Sequence, residues 1–268
     1  MAVRLPGAST PEELWKNLRN GVESISRFEH GELEAPGDPD DPAFICARGL
    51  LDPAVLEGLD GGLFGILPRE AEMIDPQHRV FLEICWEALE RAGYVPDQSE
   101  ASGNRTGVYA GCYYDTYLPN NILADPAARL AHLAEAQVGP LKIEFGNDKD
   151  HLATRVAFKL NLKDPGVTVQ TACSTSLVAV AHAVMALRSR QCDMVLAGGV
   201  TVTVPQRRGY FHKEGGMLSR DGHCRPFDAD SSGTVFSNGG GVVMVKSIVP
   251  ASKSFSACPV PRYGICTM

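Results

Sequence analysis

The sequence lacks any long run of apolar residues, and it has fewer basic than acidic side chains. No stretch reaches the roughly 18 apolar residues that a helix needs to cross a bilayer, and the first residues contain no apolar signal segment. There are 25 Lys and Arg against 32 Asp and Glu, so the formal net charge is −7. A nucleic-acid-binding surface would need a basic stripe. We therefore expect a cytoplasmic protein that binds neither membrane nor nucleic acid.

Paired cysteine motifs and a phosphate-binding loop are also missing. The 8 cysteines form no CxxC pair, which argues against a zinc site and against a dense disulfide framework. Lys246 ends an apolar run that follows the glycines at 239–241, whereas a phosphate loop needs lysine directly after its glycines and a helix next. We expect reduced thiols, no metal and no directly bound cofactor.

What the sequence does contain is a strand, helix, strand pattern from Val167 to Val200. A short β-branched run opens it, and a second apolar run closes it around the pair Gly198 and Gly199. The segment between them has the length and composition of a helix. Cys173 lies where the first strand gives way to that helix.

This position makes Cys173 a candidate nucleophile. A helix N-terminus carries a partial positive charge and unpaired N–H groups, which stabilise a thiolate and can hold an oxyanion. Reactive groups in open α/β sheets also gather at the carboxyl ends of strands. The spacing by itself fits a buried packing cysteine equally well, because free cysteine is often core.

The same helix carries hydroxyl and apolar side chains in a definite order. We expect the hydroxyls that follow Cys173 to cap its first turn and four aliphatic residues to form its buried face. The capping candidates are Ser174, Thr175 and Ser176, and the expected buried residues are Leu177, Val180, Val184 and Leu187.

Two further helices have clear start signals. Thr10 and Glu13 form a capping box around a proline at the first helical position, and Gly21 can end that helix. Asp75 and Pro76 open a longer helix with one apolar stripe. The stripe consists of Val80, Phe81, Ile84, Cys85, Ala88 and Leu89.

Two other segments have readable patterns. The run Arg105–Tyr113 predicts a buried strand, and residues 120–138 read as helical. His78 lies on the helix that Asp75 opens, and we interpret it as a polar structural position rather than a catalytic one.

Several stretches of the sequence form a set of motifs. TACSTSL contains Cys173, and CDMVLAGGV follows from Cys192. The other motifs are FGILPREAEMIDPQHRVFLEICWEALERAGY from Phe64, GNDKDHLATRVAFKLNLKDPGVTVQTAC from Gly146 and GMLSRDGHCRPFDADSSGTVF from Gly216. In this order they resemble the β-ketoacyl synthases, most closely the ketosynthase domains of modular type I polyketide synthases, and the resemblance covers residues 2 to about 248.

The resemblance implies an α/β, thiolase-like fold with α/β/α/β/α layers, of which residues 1–248 would form the N-terminal half. The family has a strand that leads into a segment like MAVRLPGA, so we expect the first strand to be missing here. Residues 249–268 leave the family pattern, as a shift of reading frame near residue 247 would cause, and we expect them to be a disordered or unrelated tail. Half of such a fold would expose apolar surface.

The resemblance also implies a reaction. Cys173 would accept an acyl chain as a thioester from the phosphopantetheine of an acyl carrier protein, and a malonyl-type extender would then condense with it after decarboxylation. Neighbouring polyketide synthase domains and a homodimer are implied, with the strand Val167–Thr171 pairing across the two-fold axis. The family's two histidines, in HGTGT-like and NxGH-like motifs, are absent from this sequence. We therefore expect acylation without condensation.

Two other functions stay open at this stage. The chain could be a non-catalytic ketosynthase fragment that acts as a carrier-protein or dimer interaction module. It could also be a cysteine hydrolase, although no His with an Asn or Asp partner occurs in a recognisable context. His212 and His223 are the remaining acid/base candidates in loops, and His182 on the helix after Cys173 is given no role. Acyl-chain and extender specificity are not readable from the sequence.

Overall fold

The computed structural model describes residues 1–95, 105–126, 130, 138–247 and 263–265. Within these residues a six-stranded mixed sheet carries helices on both faces. The strands in chain order are β1 (Ala2–Arg4), β2 (Ser26–Arg27), β3 (Phe44–Ile45), β4 (Ala47–Arg48), β5 (Thr106–Cys112), β6 (Gly166–Thr168), β7 (Met194–Thr201), β8 (Tyr210–Phe211), β9 (Gly239–Ser247) and β10 (Tyr263–Ile265).

Helices lie between some of these strands along the chain. They are α1 (Pro11–Arg19), α2 (Pro53–Glu57), α3 (Pro68–Ala71), α4 (Pro76–Arg91), α5 (Val138–Asn147), α6 (Leu152–Lys159) and α7 (Thr175–Arg188). Short 3-10 turns occur at His30–Glu32, Lys149–His151 and Ala172–Ser174, and a π-helical turn occurs at Leu118–Ile122.

The main sheet has the order β1-β9-β7-β5-β6, with β10 also pairing with β9. β5 lies parallel to both β6 and β7, while β9 runs antiparallel to β7. The chain therefore passes from β6 through α7 to β7 and crosses over β5, which is the usual connection between parallel strands. β5 is buried at every position, as expected for a parallel strand covered on both faces.

One face of the sheet is covered by α4 and α6. Asp75 caps α4, because its Oδ1 accepts a hydrogen bond from the Gln77 backbone N–H at 2.8 Å. Pro76 occupies the first helical position, where its missing N–H has no cost. All six residues of the predicted apolar stripe are buried, so the sequence-based prediction of this helix is confirmed.

The other face is covered by α7, and here the predicted buried face is wrong in part. Leu187 is buried, and Val180 and Val184 are half-buried against the same core, but Leu177 is 73% exposed. Small residues face the sheet instead, which allows the helix to approach the strands closely. The fully buried positions of α7 are Ala179, Ala183, Ala186 and Leu187.

The N-terminal strand is the second correction. Ala2–Arg4 form a short strand that pairs antiparallel with Gly240–Val242 of β9, so the expectation that the first strand is missing does not hold. Arg4 also donates to Glu87 of α4 at 2.7 Å. β1 thereby covers part of the edge of β9, where unpaired backbone groups could otherwise pair with another chain.

Three other expectations have definite outcomes. The Thr10 capping box is present, with the Glu13 side chain accepting from the Thr10 N–H. Within the tail 249–268, the structure describes Tyr263–Ile265 alone, which pair with Val245–Ser247. Most of the segment 120–138 that was read as helical lies outside the described residues. In the described part of the chain, no helix is both long and apolar enough to span a membrane.

Candidate active site

Cys173 lies in the 3-10 turn Ala172–Ser174, which joins the end of the β6 segment to α7. Its side chain is exposed. The preceding residue, Ala172, has a φ of 54°, a left-handed conformation that residues with a Cβ rarely adopt. The turn thus presents the thiol to solvent at the carboxyl end of the parallel strands.

The backbone of β5 and β7 lies directly under this turn. A Cβ on Gly111 at the end of β5 would stand 2.0 Å from the Val169 carbonyl oxygen and 2.4 Å from Thr175 Cγ2. A Cβ on Gly199 of β7 would stand 3.4 Å from the Ser176 Cβ. The first turn of α7 therefore sits directly on two strand ends, and Gly111 has no room for a side chain.

The expected hydroxyl caps of α7 take another arrangement. Ser174, the N-cap residue, makes no capping hydrogen bond with its side chain. Its Oγ instead donates to the Thr171 carbonyl oxygen at 2.8 Å, and Thr175 Oγ1 accepts from the Thr171 N–H at 2.9 Å. The expected role of these hydroxyls is corrected, because they close the turn around Cys173 rather than satisfy the helix N-terminus.

The other described cysteines differ from Cys173 in their surroundings. Cys85, Cys112 and Cys192 are buried, while Cys46 and Cys224 are half-buried. Burial raises the pKa of Cys112 to about 12 and that of Cys192 to about 11, since a buried thiolate loses its hydration. These thiols stay protonated and poorly nucleophilic at neutral pH.

Gln77 organises the strand ends beside the turn, a role that the sequence did not predict. Its side chain is 1% exposed. Its Oε1 accepts from the backbone N–H of Tyr113 at 3.0 Å and of Val202 at 3.4 Å. Its Nε2 donates to Asp75 Oδ2 at 2.9 Å and to the Tyr113 carbonyl oxygen at 3.4 Å. A polar residue two positions after a helix cap, on the apolar face, was the available signal.

Asp75 and Asp115 form a close carboxyl pair near this amide. Asp115 Oδ1 accepts from the N–H groups of Tyr117 and Leu118 at 2.7 and 3.0 Å, while its buried Oδ2 receives no donor from the described protein groups. Burial, with a contribution from the Asp115 carboxyl, raises the pKa of Asp75 to about 7.

His78 lies in the core rather than at a polar helix position. It is 1% exposed, and its Nδ1 accepts from Arg155 Nε at 3.4 Å. Burial lowers the pKa of His78 to about 3, with further lowering from the Arg155 charge. The imidazole is therefore neutral and sealed from solvent, and its Nε2 has no hydrogen-bond partner among the described groups.

The remaining histidine candidates contact groups other than Cys173. His212 Nδ1 lies 2.9 Å from the Leu218 carbonyl oxygen, and His223 Nδ1 lies 2.6 Å from Glu23 Oε2. The His182 ring stacks on Tyr109, with centroids 6.3 Å apart. In the described part of the structure, no hydrogen bond joins any of these rings to Cys173.

The described side chains do not cluster as metal ligands. Across residues 1–95, 105–126, 130, 138–247 and 263–265, no group of three or more His, Cys, Asp or Glu side chains is arranged to hold a metal ion. The chemistry that this arrangement offers is that of an exposed thiol at a helix N-terminus.

Comparison with known proteins places this arrangement in a family. Residues 1–251 match the family model of the β-ketoacyl synthase N-terminal domain. The chain is 44% identical over 257 residues to a phenolphthiocerol/phthiocerol polyketide synthase of Mycobacterium tuberculosis, a match that covers 94% of this chain and 17% of that protein. It is 39% identical over 262 residues to the pikromycin polyketide synthase component PikAII of Streptomyces venezuelae, covering 94% and 7%.

Solved structures agree with the sequence comparison. Ketosynthase twelve of the bacillaene polyketide synthase of Bacillus amyloliquefaciens superposes with a TM-score of 0.75 at 30% identity, covering 91% of this chain and 41% of that one. The thiolase-like fold expected from the sequence is thereby confirmed, with this chain spanning less than half of the solved ketosynthase. The chain belongs to the β-ketoacyl synthase family, as the N-terminal part of a ketosynthase domain of the polyketide synthase type.

Proposed function

We propose that Cys173 is the nucleophile of an acyl transfer, in which its thiolate attacks an acyl thioester and keeps the acyl group. The new S–C bond forms at Cys173 as the donor's C–S bond breaks, and the donor leaves as a thiol after taking up a proton. Covalent catalysis of this kind divides a condensation into two easier steps. The proposal for this chain covers the first step, because the sequence contains neither of the histidine motifs that the resemblance assigns to the second.

The single observation that carries this proposal is the position of Cys173. Its thiol is exposed at the junction of a parallel strand and the N-terminus of α7, a helix of 14 residues. The macrodipole of such a helix stabilises negative charge within its first turn. The same partial positive charge would stabilise the negative charge that develops on a thioester oxygen when the thiolate attacks.

The donor follows from the family. The relatives are polyketide synthases, so we propose an acyl group carried on the phosphopantetheine arm of an acyl carrier protein. Such an arm reaches an exposed thiol without needing a closed pocket within the described residues. Neighbouring polyketide synthase domains would supply both carrier and extender.

Self-association is the second part of the proposed partner set. β6 is the last strand of the main sheet on its side, and Val167 within it is 40% exposed. An uncovered edge strand favours pairing with another chain. We propose that a second copy pairs with this edge, as the expected family dimer would.

A non-catalytic role is the alternative, and one observation favours it. In the described residues, none of the His182, His212 and His223 rings is hydrogen-bonded to Cys173. Without an acid/base partner for its thiol, the chain could bind a carrier protein or a second copy without turnover. This alternative predicts carrier binding with no acyl group left on Cys173.

The test uses the full chain and an acyl thioester of N-acetylcysteamine or of a carrier protein. Intact-mass and peptide mass spectrometry would report the acyl mass and its position. We expect the acyl mass on the peptide that contains Cys173, with none in Cys173→Ala and none on the half-buried Cys224. Absence of acyl mass on the wild-type chain would refute the proposal, and carrier binding under those conditions would support the non-catalytic alternative.

A further inference from the structure

The turn that carries Cys173 holds an unusual backbone conformation. Ala172 has a φ of 54°, a region that glycine adopts readily and alanine does not. Relaxing Ala172 to an ordinary conformation would swing the following residue, Cys173, away from the strand ends. Some contact must therefore keep the turn in this state.

The contacts that do so come from the two hydroxyls that follow Cys173. Thr175 Oγ1 accepts from the Thr171 N–H at 2.9 Å. Ser174 Oγ lies 2.8 Å from the Thr171 carbonyl oxygen and 3.0 Å from Thr171 Oγ1. Both side chains reach back to Thr171, so Ala172 and Cys173 are enclosed in a hydrogen-bonded loop.

Thr175 is better fixed than Ser174, because its methyl group is also held. A Cβ on Gly111 would come within 2.4 Å of Thr175 Cγ2, so this methyl lies against the bare backbone of β5. A β-branched side chain with both of its arms engaged has one χ1 rotamer open to it. Contact with the sheet thus fixes the position of Thr175 Oγ1, which accepts the Thr171 N–H.

We propose that Thr175 is a positioning residue for Cys173: by accepting the Thr171 N–H it holds Ala172 in the left-handed conformation and keeps the thiol at the N-terminus of α7. The proposal rests on the proposed function, since it concerns the reactivity of the proposed nucleophile. It assigns the methyl group to packing on Gly111 and the hydroxyl to the geometry of the turn.

Two substitutions separate these two parts of the side chain. Thr175→Val keeps the β-branched shape and removes the acceptor, whereas Thr175→Ser keeps the acceptor and removes the methyl group. For each variant of the full chain, the measurements are the rate of Cys173 alkylation by iodoacetamide at fixed pH, the rate of acylation by the thioester donor, and the thermal midpoint. Peptide mass spectrometry assigns both modifications to Cys173.

We expect Thr175→Val to slow acylation at least about tenfold, since small misplacements of a reacting group are costly, and to slow alkylation about three- to tenfold. Thr175→Ser should stay within about threefold of wild type in both rates, even where its thermal midpoint falls further. Equal losses in both variants, or rates that follow the thermal midpoint, would overturn the proposal.

A second variant tests the conformation directly and covers the case in which Thr175→Val folds poorly. Adding Ala172→Gly to Thr175→Val lets the turn adopt positive φ without the clamp. We expect the double variant to fold and to recover most of the lost alkylation rate. Failure to recover it in a folded double variant would overturn the proposal.

The two readouts also separate this proposal from the proposed function. If the wild-type chain takes up no acyl group but alkylation still falls in Thr175→Val and recovers in Thr175→Ser, the acyl-transfer function fails and the positioning role stands. If acylation occurs and neither rate responds to Thr175→Val, the positioning role fails alone.

Discussion

The carboxyl group of Asp115, which follows β5, lies near that of Asp75, which caps α4, and adds to the burial that raises the pKa of Asp75. Each carboxyl also holds backbone N–H groups of its own segment. The pair therefore joins the start of α4 to the segment that leaves the strand ends near Cys173. Because two adjacent carboxylates repel each other, we expect the two carboxyl groups to share one proton.

This pair makes stability depend on pH. The pKa of Asp75 is raised from 3.8 to about 7 on folding, so between these values the folded chain keeps a proton that the unfolded chain has lost. The contribution of Asp75 to the free energy of unfolding therefore falls as the pH rises from about 4 to 7. In Asp115→Asn, an amide N–H can replace the shared proton. We expect a flatter pH dependence and a variant more stable than wild type at pH 8.

Urea unfolding at several pH values would check this expectation. Asp40→Asn is the control, since Asp40 is exposed and its substitution should leave the slope as in wild type. A variant Asp115→Asn that loses stability equally at every pH would contradict the shared proton.

His78 is expected to act in the opposite direction. Its pKa is lowered on folding from 6.5 to about 3, so the unfolded chain binds a proton first as the pH falls. The contribution of His78 to the free energy of unfolding therefore decreases as the pH falls below about 6.5. We expect His78→Gln, which keeps an acceptor for Arg155 and does not titrate, to lessen the loss of stability between pH 6.5 and 4.

The matched control is His182→Gln, because His182 is exposed on α7. Denaturant unfolding of both variants from pH 4 to 8 would distinguish them. If the stability of His78→Gln fell more steeply with decreasing pH than that of wild type, the buried imidazole would not be the cause of the acid sensitivity.

Gly111 should be intolerant of a side chain. A Cβ there would meet the Val169 carbonyl oxygen at 2.0 Å and Thr175 Cγ2 at 2.4 Å, and a backbone carbonyl this close cannot yield cheaply. We expect Gly111→Ala to lower the free energy of unfolding by about 3 kcal/mol, the upper end for overpacking. Gly31→Ala is the control, since a Cβ at Gly31 meets nothing within 4 Å, and thermal or urea unfolding would measure both. Equal stability of the two variants would exclude the close contact.

The two leucines of α7 should respond very differently to substitution. Leu177 is 73% exposed and Leu187 is 4% exposed. We expect Leu177→Gln to change the free energy of unfolding by no more than about 0.5 kcal/mol. Leu187→Ala should cost about 3 kcal/mol through lost burial and a residual cavity. Urea unfolding of the full chain would measure both changes. A large loss of stability in Leu177→Gln would indicate that Leu177 is buried, as the sequence predicted.

Local patterns explain what could be predicted from the sequence. The Thr10 capping box, the Asp75 and Pro76 start of α4, the strand within Arg105–Tyr113 and the place of Cys173 between strand and helix each depend on residues close together in the chain. Caps, prolines and periodicity act over such short spans. The motif around Cys173 then indicated the family, which the comparisons bear out.

Contacts between distant segments decided the rest. Periodicity placed Leu177 on the buried face of α7, but an almost entirely apolar helix gives no single face to read, and the sheet accepted its alanines instead. Ala2–Arg4 became a strand because β9, near the other end of the chain, offered an edge. Gln77, the Asp75 and Asp115 pair and the bare backbone of Gly111 gained their roles only when α4, β5 and α7 met.

The sequence by itself therefore determined the family, the order of the elements and the residue proposed as nucleophile, since these follow from local composition and motif. The tertiary structure alone decided how the thiol is held, through the left-handed Ala172, the Thr171 to Thr175 hydrogen bond and the close contact of the turn with two strand glycines. The physical reason is that close packing is set by shape at contact distance, and sequence spacing carries no information on which distant backbone will lie beneath a turn.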